Sequence, residues 1–129
     1  MGSTGVILIA DPNPFVRSFL SRELKTAGYQ TAEAGTSREI VNYLHSGHLP
    51  ALMIMELDFP IAVGMNVLNR IHDLVPTVPH IIYTHLTEYE NSSEAKKADA
   101  FIEKNDDPDE LFQTIDAVLA RYQSKKPLR

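Results

Sequence analysis

The sequence predicts an α/β protein with a parallel sheet covered by helices on both faces. Three observations carry this. Short apolar runs alternate with longer segments of helical period along most of the chain. The runs Val6-Ile7-Leu8-Ile9-Ala10 and Ala51-Leu52-Met53-Ile54-Met55 are apolar at every position, the pattern of strands buried on both faces. A length of 129 residues, 43% hydrophobic and 22% charged, suits one soluble domain with a substantial core.

Each element follows in order. Val6 to Ala10 is the first strand and stops at Asp11-Pro12-Asn13-Pro14. Asn13 as N-cap and Pro14 at the first helical position open a helix. Phe15, Val16, Phe19, Leu20 and Leu24 recur at its spacing, and Gly28 caps its end. Tyr29 to Ala34 reads as a weak strand. Thr36-Ser37-Arg38-Glu39 is a capping box ahead of Ile40, Val41 and Leu44, and Ser46-Gly47 ends that helix. The third strand is Ala51 to Met55. The loop Glu56-Leu57-Asp58-Phe59-Pro60 follows it, and Gly64 opens a third helix. His80 to Tyr83 is the fourth strand, ending at Thr84. The polar segment from Glu88 to Lys97 is expected to hold a short fourth helix. Ala98 to Glu103 is the fifth strand. Asp107 and Pro108 start the last helix, whose face is Leu111, Ile115, Val118, Leu119 and Tyr122. The expectation is one domain over 1–129, with its core at about 6–122 and a polar tail or linker start at 123–129. Right-handed crossovers favour a doubly wound sheet. The predicted fold is therefore a flavodoxin-like (βα)5 three-layer sandwich with strand order 2-1-3-4-5.

Composition excludes several classes. There is no Cys, so disulfides, thiolate metal sites and cysteine catalysis are out. A net charge of -5 argues against binding to nucleic acid or an anionic membrane. No apolar run approaches the ~18–20 residues of a membrane span, so the expected location is cytoplasmic. There is no Gly-rich phosphate loop, no Ser nucleophile elbow and no HExxH, and the chain is expected not to be an enzyme.

In an open α/β sheet, ligands gather outside the carboxyl ends of the strands. Asp11, Glu56, Thr84 and Lys104 stand at the ends of strands 1, 3, 4 and 5, which the predicted order makes neighbours. Two carboxylates, a hydroxyl and an ammonium would converge there. Solvent-facing strand ends are the plain alternative for any one of them.

With these residues in order, the chain resembles the receiver domain of two-component response regulators, of the chemotaxis-regulator type, from Val6 to about Tyr122. The resemblance rests on the Ile7-Leu8-Ile9-Ala10-Asp11 strand, the Glu56-Leu57-Asp58-Phe59-Pro60 loop with Gly64, and Thr84, Phe101 and Lys104. It implies a phosphorelay module in which an Asp accepts a phosphoryl group from a phosphohistidine with Mg2+. Thr84 and Lys104 would bind that group, and Phe101 would be the aromatic that follows the hydroxyl. The implied partners are proteins: a histidine kinase, an output domain or a second copy, through the face of helix 4, strand 5 and helix 5.

The chain departs from that pattern at its centre. Glu56 occupies the acceptor position, and Pro12 replaces the second acidic residue of the metal-binding pair. Lys97 and Asn105 replace a Gly and a Pro flanking the fifth strand. A Glu carboxylate sits about 1.5 Å further out than that of Asp, enough to spoil in-line attack. Mg2+ binding is expected to be weak or absent, with Asp11, Glu56 and the carbonyl of Asp58 as candidate ligands and no other cofactor. The expectation is a pseudo-receiver that works without phosphorylation. Glu56 either pairs with Lys104 and holds charge where a phosphoryl group would sit, or forms a structural ion pair that leaves the switch inert. The alternative is a conventional phosphoacceptor that uses Mg2+ with Glu56 or Asp58. A flavodoxin-like ligand binder is a third class. His45, His48, His72 and His80 read as solvated or capping. His85 is a candidate for the pocket mouth or a hydrogen bond to Glu56, and Tyr83, Tyr89 and Phe101 for a partner surface with the last helix, with core packing the alternative for Tyr83 and Phe101.

Overall fold

The computed structural model describes residues 5–58, 64–93, 95–105 and 107–124. Phe59 and Pro60, together with the basic pair Lys125-Lys126, lie outside them. Five parallel strands, β1 (Val6–Ala10), β2 (Gln30–Ala34), β3 (Leu52–Met55), β4 (His80–Thr84) and β5 (Ala100–Glu103), run in the order β2-β1-β3-β4-β5. Among the described residues four helices accompany them: α1 (Pro14–Thr26), α2 (Ser37–His45), α3 (Gly64–Leu74) and α4 (Asp109–Ser124). The expected order and parallel architecture are present.

Alternation along the strands builds two cores. Ile7 and Ile9 of β1 face α1 and α4, joined by Leu20, Leu24, Leu111 and Ile115. Leu8 and Ala10 face α2 and α3, joined by Ile40, Leu44 and Ile71. Burial on both sides is why β1 and β3 carry no polar residue. β2 lies at the sheet edge, and its Gln30, Thr31 and Glu33 are correspondingly exposed or half-buried.

Local chemistry sets the helix ends. The Asn13 side chain accepts from the Phe15 N–H at 2.9 Å and the Val16 N–H at 3.4 Å. At the other end of α1, Gly28 takes φ +100°, and the N–H groups of Gly28 and Tyr29 reach back to the carbonyls of Lys25 and Leu24. That is a Schellman turn, for which the left-handed residue favours glycine. The Thr36 hydroxyl caps the Glu39 N–H at 3.0 Å as expected. The Glu39 carboxylate, however, accepts from the Gly35 N–H at 2.6 Å, one residue upstream of the box's usual partner.

Among the described residues, the short helix expected between β4 and β5 is not formed. Two 3-10 turns, Thr87–Tyr89 and Ala95–Lys97, stand in its place. Ser92 explains the break. Its hydroxyl donates to the Tyr89 carbonyl at 2.8 Å and accepts from the Ala95 N–H at 3.1 Å, offering the backbone an alternative to helical bonds. With Ala95 the one buried apolar side chain in these turns, little packing opposes that choice.

Two bridges secure α4 to the rest. Tyr29 donates its hydroxyl to Asp116 at 2.8 Å. Asp99 accepts from the His80 N–H at 3.0 Å and from the Tyr122 hydroxyl at 2.9 Å. α4 runs to Ser124, two residues into the segment expected to be a tail.

Candidate functional site

The four strand-end residues meet. Asp11 is held first by the backbone, its N–H donating to the Ala34 carbonyl at 3.0 Å. The N–H of Asn13 donates to Asp11 Oδ1 at 2.8 Å, so the turn that starts α1 also aims this carboxylate. The Glu56 N–H donates to the Ala10 carbonyl at 2.9 Å, extending the pairing of β3 with β1 by one residue. Thr84 closes β4, and the Lys104 N–H donates to its carbonyl at 2.9 Å.

Lys104 Nζ lies between the carboxylates, 2.7 Å from Asp11 Oδ2 and 2.5 Å from Glu56 Oε1. Glu56 Oε2 accepts from the N–H groups of Leu57 at 2.7 Å and Asp58 at 2.9 Å, and from the Thr84 hydroxyl. The Thr84 oxygen in turn accepts from the Leu86 N–H at 3.1 Å. Asp11, Glu56 and Thr84 are all buried. Two carboxylates and one ammonium give the cluster a formal charge of -1.

Burial pushes the Glu56 carboxyl up, but the bonds from Lys104, Thr84 and the Asp58 N–H outweigh it and hold the group below its usual range. Burial likewise opposes the charge on Lys104, and its hydrogen bonds to Asp11 and Glu56 reverse the balance and raise it. Both groups are thus held charged. The Lys104 ammonium also stands 5.9 Å from the centre of the Tyr83 ring, whose hydroxyl burial pushes up.

Phe101 is half-buried against a small cluster of Leu57, Ile82 and Ala95, beside Leu86 and Ala98. Tyr83 belongs to the α1/α4 core, while Tyr89 is exposed. Asp58 contributes its N–H to Glu56, and its side chain is exposed; Lys104 and Thr84 bond Glu56 rather than Asp58. His85 is exposed and is not among the four donors to Glu56, so the expected bond between them is absent. His80 is buried, not solvated, and His72 is half-buried with its Nδ1 enclosed.

One residue of the site was not singled out in the sequence. Arg17, one turn into α1, donates from its guanidinium to the Asp11 carbonyl at 2.7 Å and to the Glu33 carboxylate at 3.2 Å. It braces the end of β1 against β2. Gly35 gives it room: a Cβ there would lie 2.6 Å from Arg17 Nη1. The available signal was Glu33 and Gly35 at the end of β2, opposite a helical Arg.

The donor set does not fit Mg2+. Hard cations need free oxygen ligands. Asp11 Oδ1 is engaged by Asn13, Oδ2 and Glu56 Oε1 by Lys104, and Glu56 Oε2 by three further donors. Pro12 adds no side-chain oxygen. Among the described residues, no group of three or more His, Asp or Glu side chains is placed to hold a metal.

The model of the response regulator receiver domain matches residues 7–116. The chain belongs to this family. Among curated relatives, the virulence transcriptional regulatory protein PhoP of Shigella flexneri is 24% identical over 117 residues, covering 89% of this chain and 52% of PhoP. Response regulator Rre1 of Synechocystis is 29% identical over 123 residues, covering 92% and 53%. The chain therefore spans about half the length of the curated relatives it matches. A CheY-like receiver domain protein from Methanospirillum hungatei superposes with a TM-score of 0.88 at 25% identity, over 96% of this chain and 100% of that one. The response regulator TrrA from Thermotoga maritima, solved with Mg2+ and BeF, gives 0.83 at 25% identity over 89% and 99%. As a receiver domain, the chain is a two-component signalling module. Among the described residues no helix is long and apolar enough to cross a membrane.

Proposed function

We propose that this receiver domain is degenerate and signals without phosphorylation, as a cytoplasmic protein-interaction module rather than an enzyme. The observation that carries this reading is the engagement of Glu56. A carboxylate that attacks phosphorus must present a free oxygen in line with the leaving group. Both oxygens of Glu56 are taken by donors, two of which, Lys104 and Thr84, are the residues carried over as phosphoryl binders.

Glu56 thereby acts as a resident anion. The Thr84 hydroxyl turns to it, while Phe101 packs half-buried against the cluster of Leu57 and Ile82, an arrangement that fits a pocket permanently filled. Lys104 supplies positive charge in place of a metal. The module would engage a protein through the two 3-10 turns, β5 and α4, where Tyr89 is exposed. A histidine kinase is one such partner, since TrrA, 26% identical to this chain, is solved in complex with the histidine kinase ThkA. An output domain or a second copy are the others.

Incubation with acetyl phosphate and Mg2+, followed by intact mass, tests the reading. The expected result is no mass gain, with amide spectra unmoved by Mg2+ and beryllofluoride. Stoichiometric gain of one phosphoryl group, stable in acid and labile in base, would establish a conventional phosphoacceptor at Glu56 or Asp58 instead. Glu56→Asp is expected to restore part of the metal binding, limited by Pro12.

A further inference from the structure

On the α3 side of the sheet, away from the carboxylate and lysine cluster, two imidazoles lie together. His72 belongs to the last turn of α3, and His80 opens β4. Their ring centres are 6.0 Å apart with planes at 65°. His72 Nδ1 and His80 Nε2 are both buried, and among the described residues neither has a hydrogen-bond partner. A buried nitrogen left unmatched is destabilising. Two at one place point to a shared occupant.

Nitrogen–metal bonds of about 2.0–2.1 Å meeting at a wide angle place two ring centres roughly 6 Å apart.

We propose that His72 and His80 bind one soft, monovalent transition-metal ion of the copper(I) class. The choice of ion follows from the donors. No group of three or more His, Asp or Glu is placed for a metal among the described residues, which leaves too few ligands for a four-coordinate zinc site. Met53 is the partner of His80 in the β3–β4 register, so its side chain shares that sheet face, within the core cluster of Ile71, Val75 and Val78. Imidazole and thioether donors at low coordination number select copper(I). His72 is half-buried and gives the ion a way in. The bound ion ties the end of α3 to the start of β4. None of this depends on Glu56.

Silver(I), a redox-stable stand-in, serves as the probe, read by native mass and by imidazole 15N shifts. Copper(I) is then titrated anaerobically against bicinchoninate. The full chain is expected to take up one ion, shifting His72 Nδ1 and His80 Nε2 and no other ring nitrogen. His72→Gln is expected to weaken binding at least about tenfold, and Met53→Leu by less. His80→Gln supplies a second variant, and His72→Gln decides should it fail to fold. Equal uptake by His72→Gln, or no uptake by the unaltered protein, overturns the proposal.

Discussion

Removing Lys104 is the sharpest probe of the cluster. Lys104→Met keeps most of the aliphatic packing and deletes the ammonium that bonds Asp11 at 2.7 Å and Glu56 at 2.5 Å. The side chains are 10%, 5% and 5% exposed, so solvent cannot replace the lost bonds. Breaking a buried pair from one side costs about 3–5 kcal/mol, because the remaining charge stays buried and unmatched. Two charge-assisted bonds at about 1.5–3 kcal/mol each give a similar sum, roughly 3–6 kcal/mol. Protonation sets a ceiling. A carboxyl driven up to pH 7 from about 4.3 relieves the strain at about 3.7 kcal/mol, at 1.36 per pH unit. The expected loss is therefore about 3–4 kcal/mol at pH 7, read as a fall in the urea midpoint with an unchanged slope. Carboxyl 13C shifts should show Glu56 titrating at higher pH in the variant. A cycle with Glu56→Gln should return a coupling of about 1.5–3 kcal/mol. A loss below about 1 kcal/mol with no change in Glu56 titration would refute the claim that Lys104 holds this site together.

Other expectations follow from neighbouring groups. Because Glu56 is held below its ordinary value, its contribution is fully present above that value and disappears as pH falls through the lower folded one. Urea midpoints between pH 6 and 3 should fall less steeply in Glu56→Gln than in the unaltered protein. Tyr29 is pushed up to about 12 by burial and by Asp116, so its contribution is present below 10 and lost as pH rises towards 12. Tyr29→Phe should remove one late-titrating phenol from the ultraviolet titration and cost about 0.5–1.5 kcal/mol at neutral pH. Gly35→Ala should displace the Arg17 guanidinium from Asp11 and cost about 1–2 kcal/mol, and in an Arg17→Ala background it should cost little.

Much of the fold was readable because strands buried on both faces leave no polar residue to confuse the pattern. Asp11, Glu56, Thr84 and Lys104 were legible as a group for a related reason: each ends such a run, and the crossover rule makes the runs neighbours. Side-chain reach was not legible. Arg17 lies between the apolar positions of α1, and nothing in that spacing shows that its guanidinium reaches the Asp11 carbonyl and Glu33. The helix expected after β4 failed because a Ser hydroxyl competes locally with the backbone, a contest that hydrophobic period does not register. His72 and His80 are eight positions apart across a turn, and nothing in their spacing shows that the chain doubles back to enclose them.

Asp99 carries a practical consequence for anyone trimming or fusing this domain. Its carboxylate grips the phenol of Tyr122 with one oxygen and the first amide of β4 with the other. A cut placed after Tyr122 keeps that rivet, whereas a cut before it removes the phenol and leaves the Asp99 carboxylate to the His80 amide and to Arg121, 3.7 Å away.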